Sequence, residues 1–143
     1  GDPTNITVTV APIALAGSSS LVAVALGPDI KAISPSAFKD CTSLETVTLN
    51  PGLEEVGPRA FEGCTSLVDI ALPPDLKCIR RSAFKGCTSL TTVTLNPGLD
   101  TIEENAFEGC TSLVSVAFPD TLKTISWAAF RGCTSLAPGE EII

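Results

Sequence analysis

No histidine, tyrosine or methionine occurs in this chain. Without histidine the commonest general base and metal ligand at neutral pH is missing. Ser/His/Asp and Cys/His nucleophile arrangements therefore cannot be assembled. Without methionine the sequence does not open on its own initiator, so it reads as a processed product or part of something longer, with room for a targeting segment before Gly1. Basic residues are scarce, 9 Lys and Arg against 16 Asp and Glu, for a net charge of -7. A nucleic-acid partner needs a basic footprint, and overall there is none. No apolar run approaches the roughly 18 residues that span a bilayer, so no transmembrane segment is expected. No phosphate-cradling glycine loop or calcium loop is present, and nothing implies a cofactor.

What the chain does have is hydrophobicity and repetition. Hydrophobic residues make up 44% of the 143 and charged ones 17%, a balance that suits a folded domain. Cys-Thr-Ser-Leu begins at Cys41, Cys64, Cys87, Cys110 and Cys133, in steps of 23 residues. Phe38, Phe61, Phe84, Phe107 and Phe130 keep the same register, as do Ile33, Val56, Ile79, Ile102 and Ile125. Ala14-Leu15 and Ser18-Ser19-Ser20-Leu21 form a degenerate copy upstream. A fixed period of this length marks a solenoid, in which each unit buries its apolar face against its neighbours.

Within a unit, Leu90, Val93 and Leu95 alternate with Thr92 and Thr94, the period-2 pattern of a strand. Strands are expected over 22–26, 45–49, 68–72, 91–95 and 114–118. Turns such as Asn50-Pro51-Gly52 and Pro73-Pro74-Asp75 follow them. A single helical turn is then expected, with Ser34-Pro35 and Gly57-Pro58 at its start. Gly63, Gly86, Gly109 and Gly132 follow, where a left-handed residue is needed. Ile6-Thr7-Val8-Thr9-Val10 alternates like a capping strand, as an open end of the stack requires. The resulting organisation is an N-terminal cap and degenerate repeat over 1–20, five 23-residue repeats over 21–136 and a tail over 137–143, whose Pro138 stops strand pairing. The class is α/β: a parallel sheet on the concave face and short helical turns on the convex one.

The motif L-x-x-[IV]-x-x-x-A-F-x-G-C-T-S-L-x-x-[VI]-x-[LF], recurring over about 14–137, resembles the BspA-like, or Treponema pallidum type, leucine-rich repeats. That resemblance implies a leucine-rich-repeat solenoid and the binding and adhesion roles of bacterial or protist surface proteins. It favours a cell-surface or secreted location, with an organelle or large-complex subunit as the alternative.

A doubled period lies on the first. Residues 28–73 and 74–119 are identical at 31 of 46 positions. Two charged slots alternate in sign, Lys31, Glu54, Lys77, Asp100, Lys123 and Lys39, Glu62, Lys85, Glu108, Arg131. Stacked levels then set opposite charges against each other and penalise a one-repeat slip. Arg80, Arg81 and Lys85 form a local basic cluster flanked by acidic repeats.

Six cysteines suggest disulfides or zinc, but five share one slot about a strand spacing apart and point the same way. That row suits small buried thiols, and it neither bridges nor converges on a metal. Cys78 stands where other repeats have Ala32, Glu55, Thr101 and Thr124, so it is expected to be exposed and open to reaction. Glu54-Glu55 and Glu103-Glu104 are adjacent carboxylates expected to diverge into solvent, and no catalytic residue emerges. Asn5-Ile6-Thr7 is a glycosylation sequon, meaningful in a secreted eukaryotic protein.

The candidate interaction surface is the outward side of the strands, Thr46, Thr48, Asp69, Thr92, Thr94 and Ser115, together with Trp127. The strand residues are small and nearly uncharged and also serve as plain strand formers. Trp127 occupies a slot that holds Pro35, Pro58, Arg81 and Glu104 elsewhere, so the core does not demand it there. It either shields the end of the stack or anchors a neighbour. Three functions stand open: a non-catalytic module for protein interaction or adhesion, a structural accessory subunit of a larger assembly, and an ice-binding surface through the paired threonines. The first two imply a protein partner.

Overall fold

The computed structural model describes residues 5–8, by their backbone, and 15–136. Within these the chain forms eleven short strands: β1 (Asn5–Val8), β2 (Ala23–Leu26), β3 (Ala32–Ile33), β4 (Thr46–Thr48), β5 (Glu55–Val56), β6 (Asp69–Ala71), β7 (Cys78–Ile79), β8 (Thr92–Thr94), β9 (Thr101–Ile102), β10 (Ser115–Val116) and β11 (Thr124–Ile125). All pair in parallel, each with its counterpart one level away, so Asp69 lies beside Thr92 and Thr92 beside Ser115. β1 pairs with β2, as expected of a capping strand. Residues 9–14 of the cap and the tail at 137–143 lie outside the described part.

The even-numbered strands are the ones the alternating pattern predicts. With β1 they form one ladder in two pieces, β1-β2-β4 and β6-β8-β10, and no strand pairing joins β4 to β6 among the described residues. A second ladder, β3-β5-β7-β9-β11, runs unbroken through five levels. Its strands are the Leu-x-x-Ile segments, two residues each, too short to show any periodicity.

The expected helical turns do not form. No helix occurs among the described residues. The segment after each second-ladder strand contains a residue with positive φ, at Ser36, Arg59, Ser82, Asn105 and Ala128. A left-handed residue there stops a right-handed helix from propagating. The amides then bond between levels: Phe38 N donates to Ala60 O at 2.8 Å, Phe61 N to Ala83 O at 2.7 Å and Phe84 N to Ala106 O at 2.8 Å. These turns form a third hydrogen-bonded stack, in which Ser34-Pro35 and Gly57-Pro58 start turns rather than helices. The left-handed glycines hold, with φ of 74–78° at Gly63, Gly86, Gly109 and Gly132, and Asp40 is left-handed too at the equivalent slot, with φ 59°.

The core runs the length of the stack. Phe38, Phe61, Phe84, Phe107 and Phe130 stack ring on ring with centroids 5.2–5.3 Å apart. Phe118 closes the column edge-on against Phe130 at 5.6 Å. Beside it runs the thiol row. Each cysteine donates to the carbonyl of the phenylalanine one level back: Cys64 to Phe38, Cys87 to Phe61, Cys110 to Phe84 and Cys133 to Phe107, at 3.1–3.2 Å. Cys41 donates likewise to Leu15 O. All six cysteines are free and buried.

Candidate interaction surface

Five ladder thiols, facing a carbonyl and packed among rings, have no route to reactivity. Burial pushes Cys64 up to about 12 and Cys133 up to about 11, and lifts Cys87 well above its ordinary value. Thiolate, the reactive form, is correspondingly disfavoured.

Cys78 departs from expectation. It is 8% exposed, not open to solvent. Its backbone pairs with Glu55 on one side and Thr101 on the other. Arg80, two residues on, reaches both ways: Nη2 donates to Glu55 Oε1 at 2.9 Å and Nη1 to Glu103 Oε2 at 2.8 Å. Burial raises the Cys78 thiol to about 11, against the pull of Arg80. Of the cluster of Arg80, Arg81 and Lys85, two side chains have acidic partners, and Arg81 contributes only its backbone amide, to Glu103 Oε1 at 3.0 Å. Arg80 is held by two carboxylates, and Lys85 lies 3.6 Å from Glu108. Glu55 and Glu103 serve as ion-pair partners of one arginine.

The alternating slots produce contacts between levels. Lys39 lies 3.7 Å from Glu62, Arg131 4.0 Å from Glu108 and Lys123 3.5 Å from Asp100. All are surface pairs, each worth about 0–1 kcal/mol.

The strand residues expected to form a surface do lie on one. Alternation turns Val47, Ile70, Val93 and Val116 into the core, which leaves Thr46, Thr48, Asp69, Ala71, Thr92, Thr94 and Ser115 exposed. Asp69, Thr92 and Ser115 form one row across β6, β8 and β10, and Ala71 and Thr94 begin the next. Thr46 and Thr48 sit across the gap in the ladder, paired instead with Ala23 and Ala25. Trp127 does not join this face. It lies in the turn segment after β11, 68% exposed, with the Arg131 guanidinium 5.9 Å from its ring centroid.

Sequence reasoning missed two members of the margin. Val68 and Val114 are 47% and 52% exposed, one residue before Asp69 and Ser115. Between them Thr91 donates its hydroxyl to Val68 O at 3.2 Å. The signal was the slot series Glu45, Val68, Thr91, Val114, in which a polar residue alternates with valine. At the opposite end of the strands, beyond β8 and β10, Leu95, Pro97, Phe118 and Pro119 line a shallow apolar depression. Its one ionisable neighbour is Asp120, so it offers no acid–base pair.

The family model for the BspA type leucine rich repeat region matches residues 9–137 in 6 copies. Among solved structures, the T. pallidum leucine-rich repeat protein TpLRR is 34% identical with a TM-score of 0.81, over 94% of this chain and 62% of that one. A leucine-rich repeat protein from Eubacterium ventriosum is 25% identical with a TM-score of 0.78, over 82% of this chain and 32% of that one. The pneumococcal vaccine antigen PcpA is 29% identical with a TM-score of 0.75, over 81% and 29% respectively. This chain therefore spans about three fifths of TpLRR and about a third of the other two. No curated protein matches it in sequence.

Proposed function

Since the chain belongs to the BspA-type leucine-rich repeat family, we propose that it is a non-catalytic interaction module that binds a protein across the exposed face of β4, β6, β8 and β10. The observation that carries this reading is that face: side chains fixed by a parallel ladder, exposed over successive levels, short and with little rotamer entropy to lose on contact. No helix among the described residues is long and apolar enough to cross a membrane. We read the module as displayed at a cell surface in an adhesive role, and the similarity to a pneumococcal vaccine antigen supports the display.

A second reading rests on Trp127, which would anchor the chain in a larger assembly from the turn side. A solvent-facing tryptophan beside an arginine combines two residue types enriched at interface hot spots. The ice-binding alternative has less behind it, because Asp69 and Ala71 interrupt the threonine rows between Thr46 and Thr92.

The test is affinity capture from the source organism with three baits: the wild-type chain, the Thr92→Arg, Thr94→Arg double variant and Trp127→Ala. A partner lost with the double arginine variant supports the strand face. One lost only with Trp127→Ala transfers the site to the turn segment. A partner retained by both variants overturns both readings.

A further inference from the structure

The solenoid sorts its charges by side. Residues 21–30, 44–53, 67–76, 90–99 and 113–122 span each main-ladder strand and the turn that leaves it. They contain Asp29, Glu45, Asp69, Asp75 and Asp120 and not one Lys or Arg. All nine basic residues fall in the intervening stretches, on the second ladder and the turn stack. The five carboxylates are exposed, and none belongs to an ion pair among the described residues. On the other sides Glu55, Glu62, Asp100, Glu103 and Glu108 each have a basic partner, while Asp40, Glu54 and Glu104 have none among the described residues. A net charge of -7 does not require this arrangement, since random placement would scatter cations over every side.

A separate observation concerns apolar surface. Of the large hydrophobic side chains left exposed, Val68 and Val114 stand on the margin of this same face, two levels apart. Glu45 shares their row, and Asp69 follows Val68 directly.

We propose that the main-ladder face binds a segment of a protein partner in which Lys or Arg alternates with aliphatic side chains. The cations meet Glu45 and Asp69, and the aliphatic groups cover Val68 and Val114. This rests on the interaction-module reading and specifies its partner. Unpaired acidic groups of one sign steer a cationic partner and reject an anionic one. The valines contribute contact that salt does not screen.

Three fluorescein-labelled octapeptides serve as probes for the full chain: alternating Lys and Val, alternating Lys and Ser, and alternating Glu and Val. Fluorescence anisotropy is read at 50 mM and 500 mM NaCl, and amide shifts of Thr92 and Thr94 locate the contact. The Lys/Val peptide is expected to bind saturably, at least tenfold tighter than Lys/Ser, with no binding of Glu/Val. Glu45→Gln with Asp69→Asn weakens it fivefold or more at 50 mM, and that difference shrinks at 500 mM as the Debye length shortens. Val68→Thr with Val114→Thr weakens it similarly at both salts, and Glu104→Gln, off this face, leaves it unchanged. No saturable Lys/Val binding, or binding indifferent to all four face substitutions, overturns the proposal. If Glu/Val instead shifts Thr92 and Thr94, the partner chemistry is wrong while the interaction face stands.

Discussion

The thiol of Cys87 donates to the carbonyl oxygen of Phe61, 3.2 Å away, one level back from the Phe84 ring that stacks on Phe61. The Cys-Thr-Ser-Leu motif thus has a structural meaning. Cysteine is small enough for the row beside the rings and supplies a second donor to a carbonyl that already accepts from Cys64 N at 3.1 Å. Substitution by alanine keeps the volume close and removes only the bond between levels. Cys87→Ala is expected to destabilise by about 0.5–1.5 kcal/mol, measured as a lower urea midpoint. An unchanged midpoint would show that the S–H contact contributes nothing.

The same thiols set an alkaline limit. Their folded-state values are raised above the ordinary 9.0, to about 12 at Cys64 and about 11 at Cys133, because burial penalises the thiolate. A raised folded value means that the native state holds the proton more tightly. The contribution is therefore complete below pH 9 and is lost as pH climbs through the folded values, from 9 towards 12. Urea midpoints should be flat from pH 7 to 8.5 and fall steadily above 9. A Cys64→Ala chain, whatever its starting stability, should fall less steeply over that window.

Arg80 stands near enough to Cys78 for its charge to act on the thiol, and it bridges Glu55 and Glu103. In the native protein at pH 8 all six cysteines should resist a thiol-specific reagent. Arg80→Ala should open Cys78 alone to rapid labelling, with a stability loss of only about 1 kcal/mol, since the ion pairs are part-exposed. Mass mapping of the labelled peptide decides it, and equal labelling of a ladder cysteine would refute the assignment.

Phe84 is fully buried between two parallel rings. Phe84→Ala should cost about 3–5 kcal/mol. Because each level touches only its neighbours, a gap at mid-stack divides the solenoid. Unfolding of this variant should therefore broaden or split into two steps, visible by calorimetry, where the parent melts as one.

Backbone strain provides the opposite sign. Ala128 has φ near +60° with no glycine to ease it. Ala128→Gly should stabilise by about 1 kcal/mol, less the added freedom of the unfolded chain. At Gly109, φ +76°, an added Cβ would meet only Gly86 at 3.8 Å. Gly109→Ala should lose about 1–2 kcal/mol from conformation alone. Melting temperatures of the two variants should move in opposite directions.

Repeat period, strand positions and the thiol row were legible in the sequence because each is written five times at fixed spacing. The second ladder was not, since two-residue strands such as Ala32–Ile33 cannot display alternation. The helical turn was misread for a physical reason. Pro35 and Pro58 suit a helix start, but the left-handed residue that follows, Ser36 or Arg59, is no glycine and gives no warning. Cys78 was placed in solvent because its slot-mates are small or polar. Near it stands Arg80, a side chain whose position depends on carboxylates 25 and 23 residues away in sequence. The threonine face was legible from alternation, whereas the exposed valines at its edge emerged only once their row was seen to be uncovered.

The interruption between β4 and β6 gives the solenoid an uneven stiffness. At that level the second ladder still pairs Glu55 with Cys78, and the turn stack still links Phe61 N to Ala83 O. Two sides are thus laced by backbone bonds, while the third lacks strand pairing and keeps the Ser66 hydroxyl's bond to Thr42 O at the entry to the strands. A bending load would part the molecule there along one side, as a book opens away from its spine. That crease divides Thr46 and Thr48 from Asp69 and Thr92, so a flex of the frame changes the span across which a ligand must reach.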